Sequence, residues 1–120
     1  MAIRNYRDLV AWQRAMELAE QVYSATKRFP AEERYVLTAQ VRKSAVSIPS
    51  NIAEGHGVHS DRVLRRHLAI AMGSLCELET QLLLASRLGY IEEAEFERLM
   101  AATSEVGRLT TGLSHAVSAS

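Results

Sequence analysis

Five polar side chains recur at helical spacing in the second quarter of the chain, and they are the first candidates for chemistry. They are Gln40, Ser44, Ser47, Asn51 and Glu54. Steps of three and four residues place them on one face of a helix, beside an apolar stripe. Polar groups on a packed face cost stability unless each finds a partner. The five residues therefore predict either a structural hydrogen-bond network with Glu77 and Gln81 of another helix, or a ligand pocket or subunit contact.

Three arginines form the second candidate site. Arg62, Arg65 and Arg66 share one face in the first turns of a predicted helix, where the helix dipole disfavours positive charge. Such placement indicates a bound polyanion such as RNA or DNA, or acidic neighbours. A solvated face that Asp61 or Glu54 partly neutralises is the alternative.

Two more basic residues, Arg42 and Lys43, lie on the helix that carries the polar stripe. They are predicted to extend the arginine patch, or to bridge to Glu77 or Glu79. The whole chain has 14 basic and 14 acidic residues, and this balance excludes a strong global attraction to polyanions but not a local basic face.

The serines and the single cysteine show no catalytic pattern. Ser44, Ser47 and Ser50 have no histidine at helical spacing, and the sequence contains no nucleophile elbow or phosphate-binding loop. Cys76 lies in the middle of a helical segment, where a small buried thiol is expected. The sequence therefore predicts no catalytic residue; a small enzyme that uses Glu54 or Glu77 is the alternative.

Three of the histidines, His56, His59 and His67, surround a glycine turn and a helix start. No cysteine or carboxylate at a suitable spacing completes a known ligand set. We therefore predict no metal site and no cofactor.

The elements that carry these residues are predicted to be four helices in a single domain, residues 1–120. The chain is rich in helix-forming residues and has only two prolines. Its apolar residues repeat every three or four positions in segments 8–27, 31–57, 60–88 and 92–117. Short turns between long helices predict an all-α, up-down-up-down four-helix bundle. The predicted core positions are Leu9, Trp12, Met16, Ala19 and Tyr23; Leu37, Val41, Ala45, Ile48 and Ile52; Leu64, Leu68, Ala71, Leu75, Leu78, Leu82 and Ala85; and Phe96, Leu99, Val106, Leu113 and Val117.

Several residues are predicted to shape the helix ends and contacts. Asp8 should cap helix one or lie in its first turn, and Ser60 or Asp61 should cap helix three. Gly55 and Gly57 should end helix two, and Gly89 should end helix three. Pro49 lies inside helix two and should kink it, because it removes a backbone donor and crowds the carbonyl of Ala45. Gly73 and Ser74 should let a neighbouring helix approach closely.

A second set of apolar residues lies outside these core stripes: Ile70, Leu84 and Leu88 on helix three, with Val46 and Ala53 on helix two. A monomer would expose this surface, so we expect self-association. Coverage by loops within one chain is the alternative. The N-terminus does not resemble a secretory signal, and no apolar run approaches the length of a membrane span. A cytoplasmic protein with no membrane role is expected.

The segment at residues 40–55, QVRKSAVSIPSNIAEG, resembles the bacterial four-helix-bundle family of 23S ribosomal RNA intervening-sequence proteins. Asp8-Leu9 with Trp12, Phe29-Pro30 with Glu33 and Tyr35, and the segment at residues 73–81 agree with this family. The resemblance implies a homopentamer with no known enzyme activity. It also implies a fold similar to that of the accessory variability protein of diversity-generating retroelements, which binds nucleic acid and a reverse transcriptase.

This chain departs from the family pattern in two places. Val58 replaces the usual arginine after the glycine turn, which removes one implied anion contact, and His67 replaces a usual aromatic residue. Three functions stay open: an oligomeric module that binds RNA or DNA, with or without a protein partner; a structural or protein-interaction ring with no nucleic-acid role; and a small enzyme that uses Glu54 or Glu77.

Overall fold

Four long helices dominate the computed structural model, which describes residues 5–119 and the side chains of residues 5–117. They are α1 (Val10–Thr26), α2 (Leu37–Gly57), α3 (Asp61–Arg87) and α4 (Glu93–Ala119). Short 3-10 helices at Tyr6–Asp8 and Ala31–Glu33 precede α1 and α2. Within the described chain there is no strand, and the fold is an all-α four-helix bundle.

The helices occupy the corners of a square. Each helix contacts the next one along the chain, and α1 also contacts α4. Among residues 5–119, the diagonal pairs α1–α3 and α2–α4 make no contact. Each pair of adjacent helices therefore forms one long side of a bundle that measures 45 × 25 × 19 Å.

The core of α3 matches the prediction at every position. Its seven seam residues are all buried, because steps of four and three keep them on one face. The five predicted core residues of α2 are buried as well. On α4, Leu99 and Val106 are buried, while Phe96, Leu113 and Val117 are partly buried against the core.

The core face of α1 differs from the prediction. Met16 and Tyr23 are 39% and 42% exposed, and Trp12 is only partly buried. The buried face is instead built mainly from small residues: Ala11, Ala15, Leu18, Ala19, Val22 and Ala25. Small side chains let α1 lie close to its neighbours, and the larger residues are displaced to the side that faces α2.

The helix ends confirm some predicted caps and correct others. The Ser60 hydroxyl accepts a hydrogen bond from Val63 N at 3.4 Å, and Gly89 adopts a φ of 78° after α3. Asp8 does not cap α1, because it lies in the preceding 3-10 helix and the N-cap is Leu9. The only non-glycine residue with positive φ in the described chain is His59, at 59°.

Gly55 lies inside α2 and does not end it. A Cβ atom built on Gly55 would lie 2.8 Å from His67 Cβ and 3.2 Å from Leu64 Cα. The absence of a side chain at Gly55 therefore sets the close approach of α2 and α3. The predicted role of Gly73 is not seen, since a Cβ atom there would meet nothing within 4 Å.

Pro49 is buried, and α2 continues through it without interruption. Proline has no N–H, so the carbonyl of Ala45 lacks its usual helical donor. The bend expected at this point stays a prediction.

The two loops at one end of the bundle are tied together across the chain. The Nη2 atom of Arg28 donates to both carboxylate oxygens of Glu95, and this ion pair raises the pKa of the Arg28 guanidinium. The Tyr90 hydroxyl donates to Glu33 Oε2 at 2.9 Å, and this bond raises the pKa of Tyr90. We call this the tied end; the turn between α2 and α3 lies at the other end.

By length and hydropathy alone, α3 could also cross a membrane. Core helices of soluble proteins satisfy the same criterion, and the buried seam of α3 belongs to the bundle core.

Candidate functional site

Part of the polar stripe forms a hydrogen-bond network between α2 and α3. The hydroxyls of Ser47 and Ser74 lie 2.8 Å apart. The Asn51 amide donates to Ser47 O at 2.8 Å and to Ser47 Oγ at 3.0 Å. Ser74 is buried and the other two are partly buried, so these bonds satisfy polar groups that water reaches poorly.

His67 completes this network, a role that the predicted set lacked. Its Nδ1 atom lies 2.9 Å from Asn51 Oδ1 and 3.5 Å from Glu54 Oε2. Because the Asn51 nitrogen already donates to Ser47, Oδ1 is the acceptor and His67 Nδ1 carries the hydrogen. His67 therefore supplies a hydrogen-bond donor between the helices.

The remaining predicted members line a polar cleft of about 340 Å³ that adjoins this network, since Ser47 and Ser74 also line it. Gln40, Lys43 and Ser44 of α2 face Glu77 and Gln81 of α3 across it. Glu77 and Gln81 do not join the network as predicted: Glu77 is exposed, and Gln81 Oε1 is buried without a hydrogen-bond partner in the described chain.

The three arginines are all exposed near the turn between α2 and α3. Within the described chain, Arg62, Arg65 and Arg66 form no ion pair, either with Asp61 or with Glu54. Their spacing of three and one residues places them on one face of the first turns of α3. We call this surface the arginine tip.

Arg42 and Lys43 do not extend the arginine tip. Arg42 faces α1, where its Nε donates to Thr26 Oγ1 at 2.8 Å and its guanidinium lies 4.7 Å from the ring centre of Tyr23. Lys43 lines the polar cleft. At 1.5 Å per residue, both lie roughly 20 Å from the arginine tip along the bundle axis. Neither is ion-paired to Glu77 or Glu79 in the part of the chain that is described.

The thiol prediction is wrong, because Cys76 is exposed. It lies beside α4 and not on the seam. His56 and His59 approach each other with ring centres 6.1 Å apart. No group of three or more histidine, cysteine or acidic residues that could hold a metal ion occurs within residues 5–119.

An apolar groove between α1 and α2 includes Val46 and Ala53, which the sequence placed outside the core, but its α1 wall was not predicted. It has a volume of about 570 Å³ and is lined chiefly by Trp12, Met16, Tyr23, Val46, Pro49 and Ala53. The signal was present in the large residues of α1, which were assigned to the core. Lys27 and Glu20 lie among the polar residues of this α1–α2 groove.

A second apolar surface follows one stripe of α3. Ile70, Leu84 and Leu88 are 46%, 48% and 49% exposed, so loops of the same chain do not cover them. With Glu77 they recur at steps of seven, seven and four residues and form one face, which we call the α3 stripe. Glu77 also lines the polar cleft, so this stripe lies on the α2–α3 side of the bundle.

Comparison with known proteins agrees with this architecture. The family model described as 23S rRNA-intervening sequence protein matches residues 7–112. A crystal structure from Bacteroides thetaiotaomicron, of a protein with unknown function from the S23 ribosomal protein family, superposes with a TM-score of 0.80. It is 26% identical in sequence, and the match covers 87% of this chain and 97% of that one. No curated protein gave a significant match.

Proposed function

This chain belongs to the 23S rRNA-intervening sequence protein family, and we propose that it acts as a non-enzymatic, self-associating module that binds nucleic acid. The arginine tip is the surface that contacts RNA or DNA. Self-association multiplies this surface, and a homopentamer is the specific assembly that we propose.

The observation that carries the binding proposal is the unpaired state of the arginine tip. Arg62, Arg65 and Arg66 are exposed and have no acidic partner within residues 5–119. Their charges oppose the positive end of the α3 dipole, so a bound anion stabilises them. Arginine is well suited to phosphate, because its guanidinium offers several donors in a fixed plane.

Exposed apolar residues support the self-association. Leu84 and Leu88 are neighbours on the α3 stripe, Ile70 lies on the same face about 20 Å away, and the α1–α2 groove is a second exposed apolar surface. Single exposed apolar residues are ordinary, but contiguous ones usually mark interaction sites. A protein partner or a further copy would remove this area from water.

Binding should be measured with short RNA and DNA duplexes and single strands at several salt concentrations. We expect sequence-tolerant binding that weakens steeply with salt, since phosphate contacts release counterions. Replacing Arg62, Arg65 and Arg66 together by alanine should abolish most of it. The matched control replaces Arg34, Arg87 and Arg98, which are also exposed but lie towards the tied end, and should bind almost as well as the native chain.

No binding at low salt would remove the nucleic-acid role. It would leave the alternative of a structural or protein-interaction ring, which rests on the exposed apolar surfaces alone. Light scattering at micromolar concentration tests the ring. A single species near 13.3 kDa would exclude self-association, and a clean dimer would exclude only the pentamer.

The geometry of the polar residues supports a structural role better than a catalytic one. Glu54 and Glu77 are both exposed and lie in different groups, the first beside His67 and the second in the polar cleft. The two matched descriptions name no enzyme activity.

A further inference from the structure

We infer that the α1–α2 groove of one subunit receives Ile70, at the arginine-tip end of the α3 stripe, of the next copy of this chain. Repetition of this contact, with helices of neighbouring subunits parallel, closes a small ring. The inference rests on the proposed self-association and adds which surfaces meet and in which orientation.

The two surfaces differ in residues and in position. The groove is built by Trp12 and Met16 of α1 with Pro49 of α2, whereas the stripe presents Ile70 and Leu84 of α3. A contact between two unlike surfaces is heterologous, and it repeats around a rotation axis instead of pairing two copies about a twofold axis.

The square arrangement of helices determines how such a contact repeats. The groove lies on the α1–α2 side and the stripe on the neighbouring α2–α3 side, so their outward directions differ by about 90°. A closed ring of four subunits needs about 90° between the two contact surfaces, and a ring of five needs about 108°. A small ring therefore fits this bundle, and an open filament is not required.

The internal hydrogen bonds give the axial positions of the contact residues. Ser47 pairs with Ser74 and Asn51 with His67, so Glu77 lies level with about residues 41–44 of α2. On α1, the Thr26 hydroxyl accepts a hydrogen bond from Arg42 of α2. Lys27 is the next residue and therefore lies at about the same level along the bundle axis as Glu77.

The same register places Ile70 level with about residues 48–51 of α2. Pro49 and Ser50 of that segment line the groove. Ile70 of a parallel neighbour would therefore enter the groove near its middle.

Parallel packing also gives charge complementarity. It places Glu77 of one copy opposite Lys27 of the next. Both side chains are exposed and neither forms an ion pair within the described chain. An antiparallel neighbour would move these charges to different levels, so the pairing selects the parallel orientation.

A charge-swap experiment on the full chain tests this contact. Lys27→Glu and Glu77→Lys should each weaken self-association, by roughly three- to tenfold per contact at low salt. The double variant should return to within about twofold of the native chain. Glu79→Lys, about 200° around α3 from Glu77 and on the α3–α4 side, should not rescue Lys27→Glu. Sedimentation across a dilution series measures each assembly.

Ile70→Asp tests the apolar part of the contact. It should leave a helical, cooperatively folding monomer, because Ile70 is exposed in the isolated subunit. Assembly that survives Ile70→Asp, or a charge swap that fails to rescue, overturns the assigned contact while self-association stands. A native chain that stays monomeric overturns both proposals.

Discussion

The Nδ1 atom of His67 on α3 lies 2.9 Å from Oδ1 of Asn51 on α2. Gly55 lies one turn further along α2, and a side chain there would collide with His67. The hydrogen bond and the close approach therefore act on the same part of the α2–α3 contact. Each can be tested by its own substitution.

Asn51→Ala removes the central member of the network. Ser47 and His67 would both lose a hydrogen bond in a partly buried place, so the free energy of unfolding should fall by about 1–3 kcal/mol. Chemical denaturation measures this change. Gln40→Ala, at an exposed position of the same helix, should change it by less than about 0.5 kcal/mol. Equal effects of the two substitutions would mean that the network contributes no stability.

Gly55→Ala should separate α2 from α3. The new Cβ would lie within 3.2 Å of Leu64 Cα, which is backbone and cannot turn aside. Strain of about 1–3 kcal/mol should exceed the helix-propensity gain of about 1 kcal/mol, so stability should fall.

Gly107→Ala is the control, since a Cβ atom there meets nothing within 4 Å. It should leave stability unchanged or raise it by up to about 1 kcal/mol. A Gly55→Ala variant that is also stabilised would contradict the close approach.

Tyr90→Phe should reduce stability and change its response to alkaline pH. The bond to Glu33 raises the pKa of Tyr90 in the folded chain above the unfolded value of about 10. The unfolded chain then loses this proton first, so the stabilisation is complete below about pH 10 and declines as pH rises above it. Denaturation at pH 8 and above pH 10 should show a smaller decline for Tyr90→Phe than for the native chain.

Tyr35→Phe is the matched control for that measurement. Tyr35 is 85% exposed, so removing its hydroxyl should leave both the stability and its decline at alkaline pH unchanged. If the stability of the Tyr90→Phe variant declines with pH as steeply as that of the native chain, the Tyr90–Glu33 bond does not contribute to the pH dependence.

Cys76 should react with a water-soluble thiol reagent in the folded protein, because its side chain is exposed. One equivalent of reagent per chain is expected without denaturant. The reaction should persist in the assembled protein, since Cys76 lies on the α3–α4 side and not on the α3 stripe. Labelling only after unfolding would show that the Cys76 thiol is buried, as the sequence predicted.

Residue spacing alone predicted the buried face of α3 well and that of α1 poorly, for a physical reason. The seam of α3 uses leucines at steps of four and three, and no competing face is equally apolar. On α1, the prediction followed the large side chains of Trp12, Met16 and Tyr23, whereas the buried face combines alanines with Leu18 and Val22. Close packing nevertheless favours the alanine face, and no single-chain pattern records how near two helices will lie.

Among the candidate sites, too, features set by local spacing were predicted and features set by another helix were not. The shared face of Arg62, Arg65 and Arg66 follows from helical spacing, which is local. The direction of Arg42 does not, because it depends on Tyr23 and Thr26 of another helix. The link between Asn51 and His67 likewise needed the register of α2 against α3, which their sequence separation does not reveal.

The ties between Arg28 and Glu95 and between Tyr90 and Glu33 join distant parts of the chain at one end of the bundle. At the end with the arginine tip, the described side-chain bonds between helices join only α2 and α3, as between Asn51 and His67. Breaking helical hydrogen bonds should therefore require less free energy near Asp61 than near Leu37. Backbone amides should exchange with deuterium along a gradient, fastest beside the arginines and slowest where the loops are joined. Such a gradient leaves the proposed binding surface free to adjust to a partner while the opposite end holds the four helices in register.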